Sequence, residues 1–402
     1  MSIAFEIEQR DAGSRARAGV LRLAHGEVRT PAFVPLATKG AVKTLLPAEV
    51  EALGFDMVLG NTFHLLLEPG PEVVAAHGGL HEFMGWERPI VTDSGGFQVF
   101  SMGHGTVASE IKGRAAQGAK GDGAILSIAE EGVRFRSYVD GDERFLSPEG
   151  SMEVQAALNS DIALAFDECT PFNVTREYTA ASTERTHRWL RRCLDWHAEH
   201  GPPGQVVYGI VQGGVHEDLR RASAQEVASS GCGGIAIGGS LGEDKAQMYE
   251  VVGWATEELH EDRPRHLLGI GDVDDLIRGV ELGIDTFDCA MPTRIARHGM
   301  AIVPDPDGRW RMNLLNGRFR EDRATLLDGC PCPACAGGRS RAYLRHLVKQ
   351  REPAGLRLLT LHNLTFVAAV MTTLRNAILA GDLAETATAL HAGALPFADR
   401  PA

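Results

Sequence analysis

The sequence predicts an α/β protein, a (β/α)8 barrel of the TIM type, on two observations. Short apolar runs recur along the chain, each followed by a turn and then a stretch with helical spacing, the alternation of a parallel sheet covered by helices. There are eight: PAFVPLA (31–37), DMVLG (56–60), PIVTD (89–93), IALAFD (162–167), VVYGIVQ (206–212), GIAIGG (234–239), HLLGIG (266–271) and IDTFDC (284–289). Second, the runs are continuously apolar rather than alternating, as strands buried on both faces are. Eight such units favour a closed barrel.

The connecting helices follow in order. PAEVEAL comes after the first run, EYTAASTERTHRWLRRCLDWHAEH after the fourth, HEDLRRASAQEVASS after the fifth and DVDDLIRGVELG after the seventh. Two intervals are too long for a simple unit. Between Asp93 and Asp161 lies GDGAILSIAEEGVRFRSYVDGDERFLS, whose period-two segments and turn at Asp140-Gly141 predict a β-hairpin insertion near 107–147, overhanging the strand ends. After the eighth run, residues 303–362 carry a group of cysteines, and only then comes NLTFVAAVMTTLRNAILAGD, an apolar helix suited to close the barrel. The expected organisation is a catalytic barrel from 1–302 and 363–402, with 303–362 inserted before the last helix. No internal repeat or low-complexity tract is present.

Composition excludes several classes. With 44% hydrophobic and 23% charged residues, 402 residues bury a full core, which rules out a disordered chain. The apolar runs are read as too short to span a bilayer, and MSIAFEIEQR lacks a basic start followed by an apolar stretch, so a cytoplasmic protein without a membrane partner is expected. The net charge of -13 argues against a protein that coats nucleic acid indiscriminately, yet leaves room for a local basic patch.

The strand ends are unusually polar. Asp93 ends the third run, Asp167 the fourth and Gln212 the fifth; Asp288 lies in the eighth, and Asn61 and Thr62 follow the second. In such barrels the carboxyl ends of the strands line the active-site mouth. A carboxylate among apolar strand residues costs several kcal/mol unless it is paired or functional. Any one of these residues reads equally well as a turn residue or helix cap; Asp93 and Asp288 together do not. Two carboxylates facing one pocket suit chemistry at an anomeric carbon, one attacking C1′ while the other handles the leaving group's proton. Around Asp93, T-D-S-G-G-F-Q adds glycines where backbone approaches something closely, and Phe97 as a stacking surface for a planar base. Gln212-Gly213-Gly214 and Gly238-Gly239 repeat the arrangement, which points to a flat ligand clasped by main chain. Each glycine pair also reads as a tight strand-to-helix turn.

Seven cysteines is an odd number, and three of them crowd into Cys330-Pro-Cys332-Pro-Ala-Cys335, with His362 further on. Three thiolates and one imidazole complete a tetrahedral zinc site with no open position, so one structural Zn(2+) per chain is expected and 303–362 becomes a zinc-binding subdomain. Around it lies a basic concentration of Arg294, Arg297, Arg311, Arg318, Arg320 and Arg323, then Arg339, Arg341, Arg345, Lys349 and Arg351. Part of it is ordinary surface. Arg294 and Arg297, directly after Asp288, are the ones placed to hold phosphates at the mouth.

Together, T-D-S-G-G-F-Q, F-D-E-C-T-P, G-I-V-Q-G, F-D-C-A-M-P-T-R and C-P-C-P-A-C with His362 resemble the queuine/preQ1 tRNA-guanine transglycosylase family, bacterial type, over nearly the whole chain. The resemblance implies exchange of guanine at the anticodon wobble position of tRNA for a 7-deazaguanine base, through a covalent enzyme–RNA intermediate. It implies that Asp288 is the nucleophile and Asp93 the general acid/base. Asp167, with Cys169 beside it, is the implied reader of the guanine-like edge, helped by Gln212 and the Gly239 backbone. By the same resemblance Ser94 is implied with Asp93 among the base contacts, and Phe97 and Leu268 would sandwich the base where the family often has tyrosine and methionine. Asn61 is implied as a supporting residue. Arg294 and Arg297 match positions that hold a U-G-U anticodon loop, whose target base must be drawn out of its stack. G-G-S-L-G-E is one residue shorter than the family's usual loop, with Ser240 where leucine is common and Glu243 as the counterpart of the base-sensing glutamate. A homodimer through the zinc subdomain is implied, with Tyr343 and His346 at interface positions and Arg339 where an aromatic residue is often found. A non-catalytic partner subunit would lack the aspartates, and a carbohydrate-active hydrolase would not account for the zinc insertion or the arginines.

Overall fold

The computed structural model describes residues 4–98, 125–304 and 310–397. All eight apolar runs contribute strands to one sheet: β1 (Ala32–Val34), β2 (Val58–Gly60), β3 (Ile90–Thr92), β4 (Ile162–Leu164), β5 (Val206–Val211), β6 (Gly234–Ile237), β7 (Arg265–Leu267) and β8 (Thr286–Asp288). The sheet runs β2-β3-β4-β5-β6-β7-β8-β1, with every neighbouring pair parallel. Its two ends meet. Leu36 bridges Leu59 in parallel, the Leu59 N–H donates to the Pro35 carbonyl at 3.0 Å and the Ala37 N–H to the Leu59 carbonyl at 2.7 Å, closing the barrel.

Successive strand residues face opposite ways, which divides the core in two. Ile162 and Leu164 of β4 join Val34, Leu59, Val91 and Ile210 inside the barrel, while Ala163 packs outward with the helix layer. Polar caps start several helices: Thr175 accepts from the Tyr178 N–H ahead of Arg176–His200, and Asp244 from the Gln247 N–H ahead of Lys245–Glu257.

Residues 4–30, to which sequence patterning assigned no element, form a three-stranded antiparallel sheet of Ala4–Arg10, Arg17–Leu23 and Gly26–Thr30. Leu21 and Val28 from this sheet plug the barrel interior. Arg17 fixes it at the amino end of the strands: the guanidinium makes a two-bond, fully buried ion pair with Asp285, ahead of β8, at 2.9 and 2.7 Å.

The interval after β3 was expected to hold a hairpin. Its described part is instead a three-stranded antiparallel sheet, Ile125–Ala129, Gly132–Arg136 and Glu143–Leu146. The first reversal, at Glu130-Glu131, carries no turn residues ahead of Gly132, so only the Asp140-Gly141 turn stands out in the sequence. The rest of that expected insertion, residues 107–124, lies outside the described residues.

Beyond β8, Met300–Ile302 pairs with Arg311–Asn313, and a separate apolar cluster containing Leu314, Phe319, Leu326, Leu344 and the three crowded cysteines packs beside the barrel. The closing helix runs Pro353–Ala380, starting well ahead of Asn363, because Pro353 suits a first helical turn and the apolar spacing continues through Leu359 and His362. Gly381, at φ 79°, ends it. Contrary to the sequence reading, this one helix is long and apolar enough to cross a bilayer; 78% of its apolar window is buried inside the protein, as in a core helix.

Candidate active site and metal centre

The carboxyl ends of the strands bring most of the expected residues to one rim. Asp93, directly after β3, is half-buried and held on four sides. Its Oδ1 accepts from the Thr62 N–H at 2.9 Å and the Gly95 N–H at 3.2 Å, and its Oδ2 from Gln98 Nε2 at 3.1 Å and from Asn61 Nδ2. Asn61 does two jobs, since its Oδ1 also caps the helix Thr62–Leu67. Burial pushes the Asp93 carboxyl up to about 7; the charge of Asp288 adds to this, while the donors from Thr62, Gly95 and Gln98 oppose it.

Asp288, the last residue of β8, is 7% exposed. Its Oδ1 accepts from the Gly269 N–H at 3.0 Å and lies 3.2 Å from His266 Nε2. His266 was not singled out in the sequence. It opens an apolar run and reads as a core residue there.

Asp167 is buried and bridged, Oδ1 accepting from Ser94 Oγ at 2.9 Å and Oδ2 from Gln212 Nε2 at 2.7 Å. Burial pushes its carboxyl up to about 6 against these two bonds. Main chain crowds this carboxylate. A Cβ on Gly96 would lie 2.6 Å from the Asp167 carbonyl, and one on Gly239, at φ +78°, would lie 2.2 Å from Gln212 Oε1. Leu268 packs against Gly238, Cys169 is half-buried against the main core, and Phe97 is half-buried next to Gly96.

A second residue absent from the sequence reading backs this pocket. Arg220 is fully buried and donates to four main-chain carbonyls, those of Gly214, Val211, Gly238 and Ser240, at 2.8–3.0 Å. It ties together the loops that follow β5 and β6. Burial lowers its guanidinium to about 10.

Glu243 lies in the loop that follows β6, and no hydrogen bond of its side chain to the carboxylates of the rim is seen among the described residues. Its side chain is exposed at the entry to the helix Lys245–Glu257, because Asp244 takes the capping position and the Glu243 N–H donates to Gln247 Oε1 at 2.9 Å.

Arg294 is exposed and Arg297 half-buried on the short helix Met291–Arg297. Desolvation, then the charges of Arg297, Lys39 and Arg294, hold the Lys43 ammonium below its usual range. These four cations therefore form one patch, to which the loop after β1 contributes two lysines that the sequence reading passed over. Within the patch Lys39 pairs with Glu68 Oε2 at 3.6 Å; outside it, Arg311 and Arg341 are neutralised within the fold by Asp272 and Asp322.

Cys330, Cys332, Cys335 and His362 converge, all four buried. The three sulfurs lie 3.6, 3.4 and 3.6 Å from His362 Nδ1. A tetrahedral zinc with bonds of about 2.3 Å to sulfur and about 2.0 Å to nitrogen separates its ligand atoms by about 3.5 Å, so the donor set and its spacing fit this ion. The other ring nitrogen, Nε2, donates to the Ile302 carbonyl at 2.8 Å, which orients the ring as second partners of metal-bound histidines do.

The model of the family described as queuine tRNA-ribosyltransferase matches residues 11–393 of the chain. Among curated proteins, the queuine tRNA-ribosyltransferase of Roseiflexus sp. (strain RS-1) is 49% identical over 393 residues, covering 96% of this chain and 98% of that protein. The protein of the same name from Pelotomaculum thermopropionicum is 46% identical over 95% and 96%. That from Symbiobacterium thermophilum is 44% identical over 98% and 93%.

Proposed function

From the premise that the chain belongs to the queuine tRNA-ribosyltransferase family, we propose that it exchanges guanine at the anticodon wobble position of tRNA for a 7-deazaguanine base, preQ1 or queuine, through a covalent enzyme–RNA intermediate. The observation that carries this reading is the pair of carboxyl groups at one barrel mouth, Asp93, pushed up to about 7 by burial, and Asp288, whose charge reaches it.

A carboxylate oxygen of Asp288 forms a bond to ribose C1′ as the glycosidic C1′–N bond breaks. The bonding pair stays with the departing guanine nitrogen, which takes its proton from Asp93. In the reverse sense, the incoming base loses a proton to the Asp93 carboxylate, its nitrogen attacks C1′, and Asp288 departs as a carboxylate. A group with a pKa near 7 serves both directions at neutral pH. Asp167, Ser94, Gln212, Cys169 and the Gly239 backbone read the base edge between Phe97 and Leu268. Lys39, Lys43, Arg294 and Arg297 hold the phosphates of a U-G-U loop. Zinc, when bound, supplies a fold-stabilising cross-link through Cys330, Cys332, Cys335 and His362 rather than chemistry. Tyr343, 49% exposed on the zinc subdomain, supports a homodimer through this face. A tRNA substrate supports a cytoplasmic location.

Radiolabelled guanine exchange on intact tRNA tests the reaction, and absence of incorporation would overturn it. Asp288→Ala is expected to abolish the enzyme–RNA adduct trapped on a denaturing gel; a persisting adduct would assign the nucleophile to another residue.

A further inference from the structure

We infer that His266 is a positioning residue for Asp288, clamping one carboxylate oxygen so that the other is the one that attacks. This rests on the reading of Asp288 as the nucleophile. The histidine sits on β7 beside β8, 2% exposed, with both ring nitrogens engaged: Nδ1 lies 2.9 Å from Thr286 Oγ1 and Nε2 3.2 Å from Asp288 Oδ1. Thr286 and Asp288 are two apart on one strand, so their side chains share a face and a single imidazole spans them. The threonine hydroxyl has a proton to give and the carboxylate has none. One tautomer satisfies both contacts, with Thr286 Oγ1–H donating to Nδ1 and Nε2–H donating to Asp288.

The Gly269 N–H donates to this same oxygen at 3.0 Å, and among the described residues no hydrogen bond reaches Asp288 Oδ2. The two oxygens are thus unequal. Oδ1 is fixed by two donors and Oδ2 keeps its lone pairs available. When Oδ2 bonds to C1′, Oδ1 becomes the ester carbonyl oxygen and keeps its donors. When the ester C1′–O bond breaks, the returning pair makes a carboxylate that the same donors stabilise. The imidazole also removes rotational freedom from the side chain, which shortens the search for the attacking geometry.

Two variants separate this role from a packing role. His266→Leu fills the space without a donor, whereas His266→Gln carries an amide nitrogen that can donate to Asp288. The L variant is expected to lose roughly 10- to 100-fold in the rate of adduct formation, in keeping with loss of a hydrogen bond to a charged group. Its KM for a U-G-U stem–loop should stay within about twofold, since an interaction that matters only as the bond forms appears in kcat. The Q variant should recover most of the rate. Adduct formation by the L variant at the unaltered rate, or equal loss in both variants with intact melting temperatures, would overturn the inference. If the unaltered enzyme formed no adduct, the reading of Asp288 would fall first, so the two failures are distinguishable.

Discussion

At the scale of single residues, the site depends on carboxyl groups held above their ordinary proton affinity. Asp93 binds its proton more tightly in the folded chain, near pH 7, than it would unfolded, near pH 4. Its contribution to stability is therefore full below the unfolded value and is lost as pH rises through about 7. Asp93→Asn removes this dependence. Between pH 5 and pH 8 the melting temperature of the unaltered protein should fall relative to that of the variant, by the equivalent of about 2 kcal/mol; parallel melting profiles would show that Asp93 titrates in its ordinary range. Asp93, Asp167, Gln212 and Asp288 were legible because each interrupts an apolar run at the end where barrel chemistry occurs. His266 and Arg220 were not. A polar residue inside an apolar run, or on the buried side of a helix such as Glu217–Ser229, gives no local sign that it serves a carboxylate or a set of carbonyls on another element. Lys39 and Lys43 were missed for a different reason, since lysines in a loop look like solvated surface until folding sets them beside Arg294 and Arg297.

At the scale of elements, the eight strands could be read because parallel strands buried on both faces are continuously apolar, and buried character needs no partner to be recognised. The sheet over residues 4–30 escaped because its strands are antiparallel and partly exposed, without a continuous apolar run, and what makes it part of the barrel is a contact with residue 285. The two-bond pair of Arg17 with Asp285, both essentially unexposed, gives that contact energetic weight. Arg17 also donates to the Glu261 and Arg263 carbonyls, and the Asp285 carboxylate also accepts the Arg265 N–H. Arg17→Met should leave Asp285 buried without its counter-ion, lowering unfolding stability by about 3–5 kcal/mol in a denaturant titration. A loss below about 1 kcal/mol would show that the apolar plug of Leu21 and Val28 holds the sheet alone.

At the scale of the whole molecule, the cysteine-rich segment and the barrel share one helix. His362 lies in Pro353–Ala380, whose neighbour Asn363 accepts from the Ile302 N–H at 2.7 Å and donates to the Pro292 carbonyl at 2.9 Å, next to the strand end that carries Asp288. Removal of the ion should therefore loosen the mouth as well as the subdomain. Cys332→Ser is expected to lower zinc content below one per chain and to lower the melting temperature; unchanged stoichiometry would contradict the ligand set. The same helix reaches the opposite end of the chain, where Arg375 donates to the Gly19 carbonyl at 2.9 Å and also to that of Thr30. A ribosome delivers Gly19 and Thr30 first and Arg375 more than three hundred residues later. Through most of synthesis the sheet over residues 4–30 has neither Asp285 nor Arg375 to dock against, so a nascent chain carries its barrel plug exposed and open to chaperones until the helix Pro353–Ala380 leaves the exit tunnel.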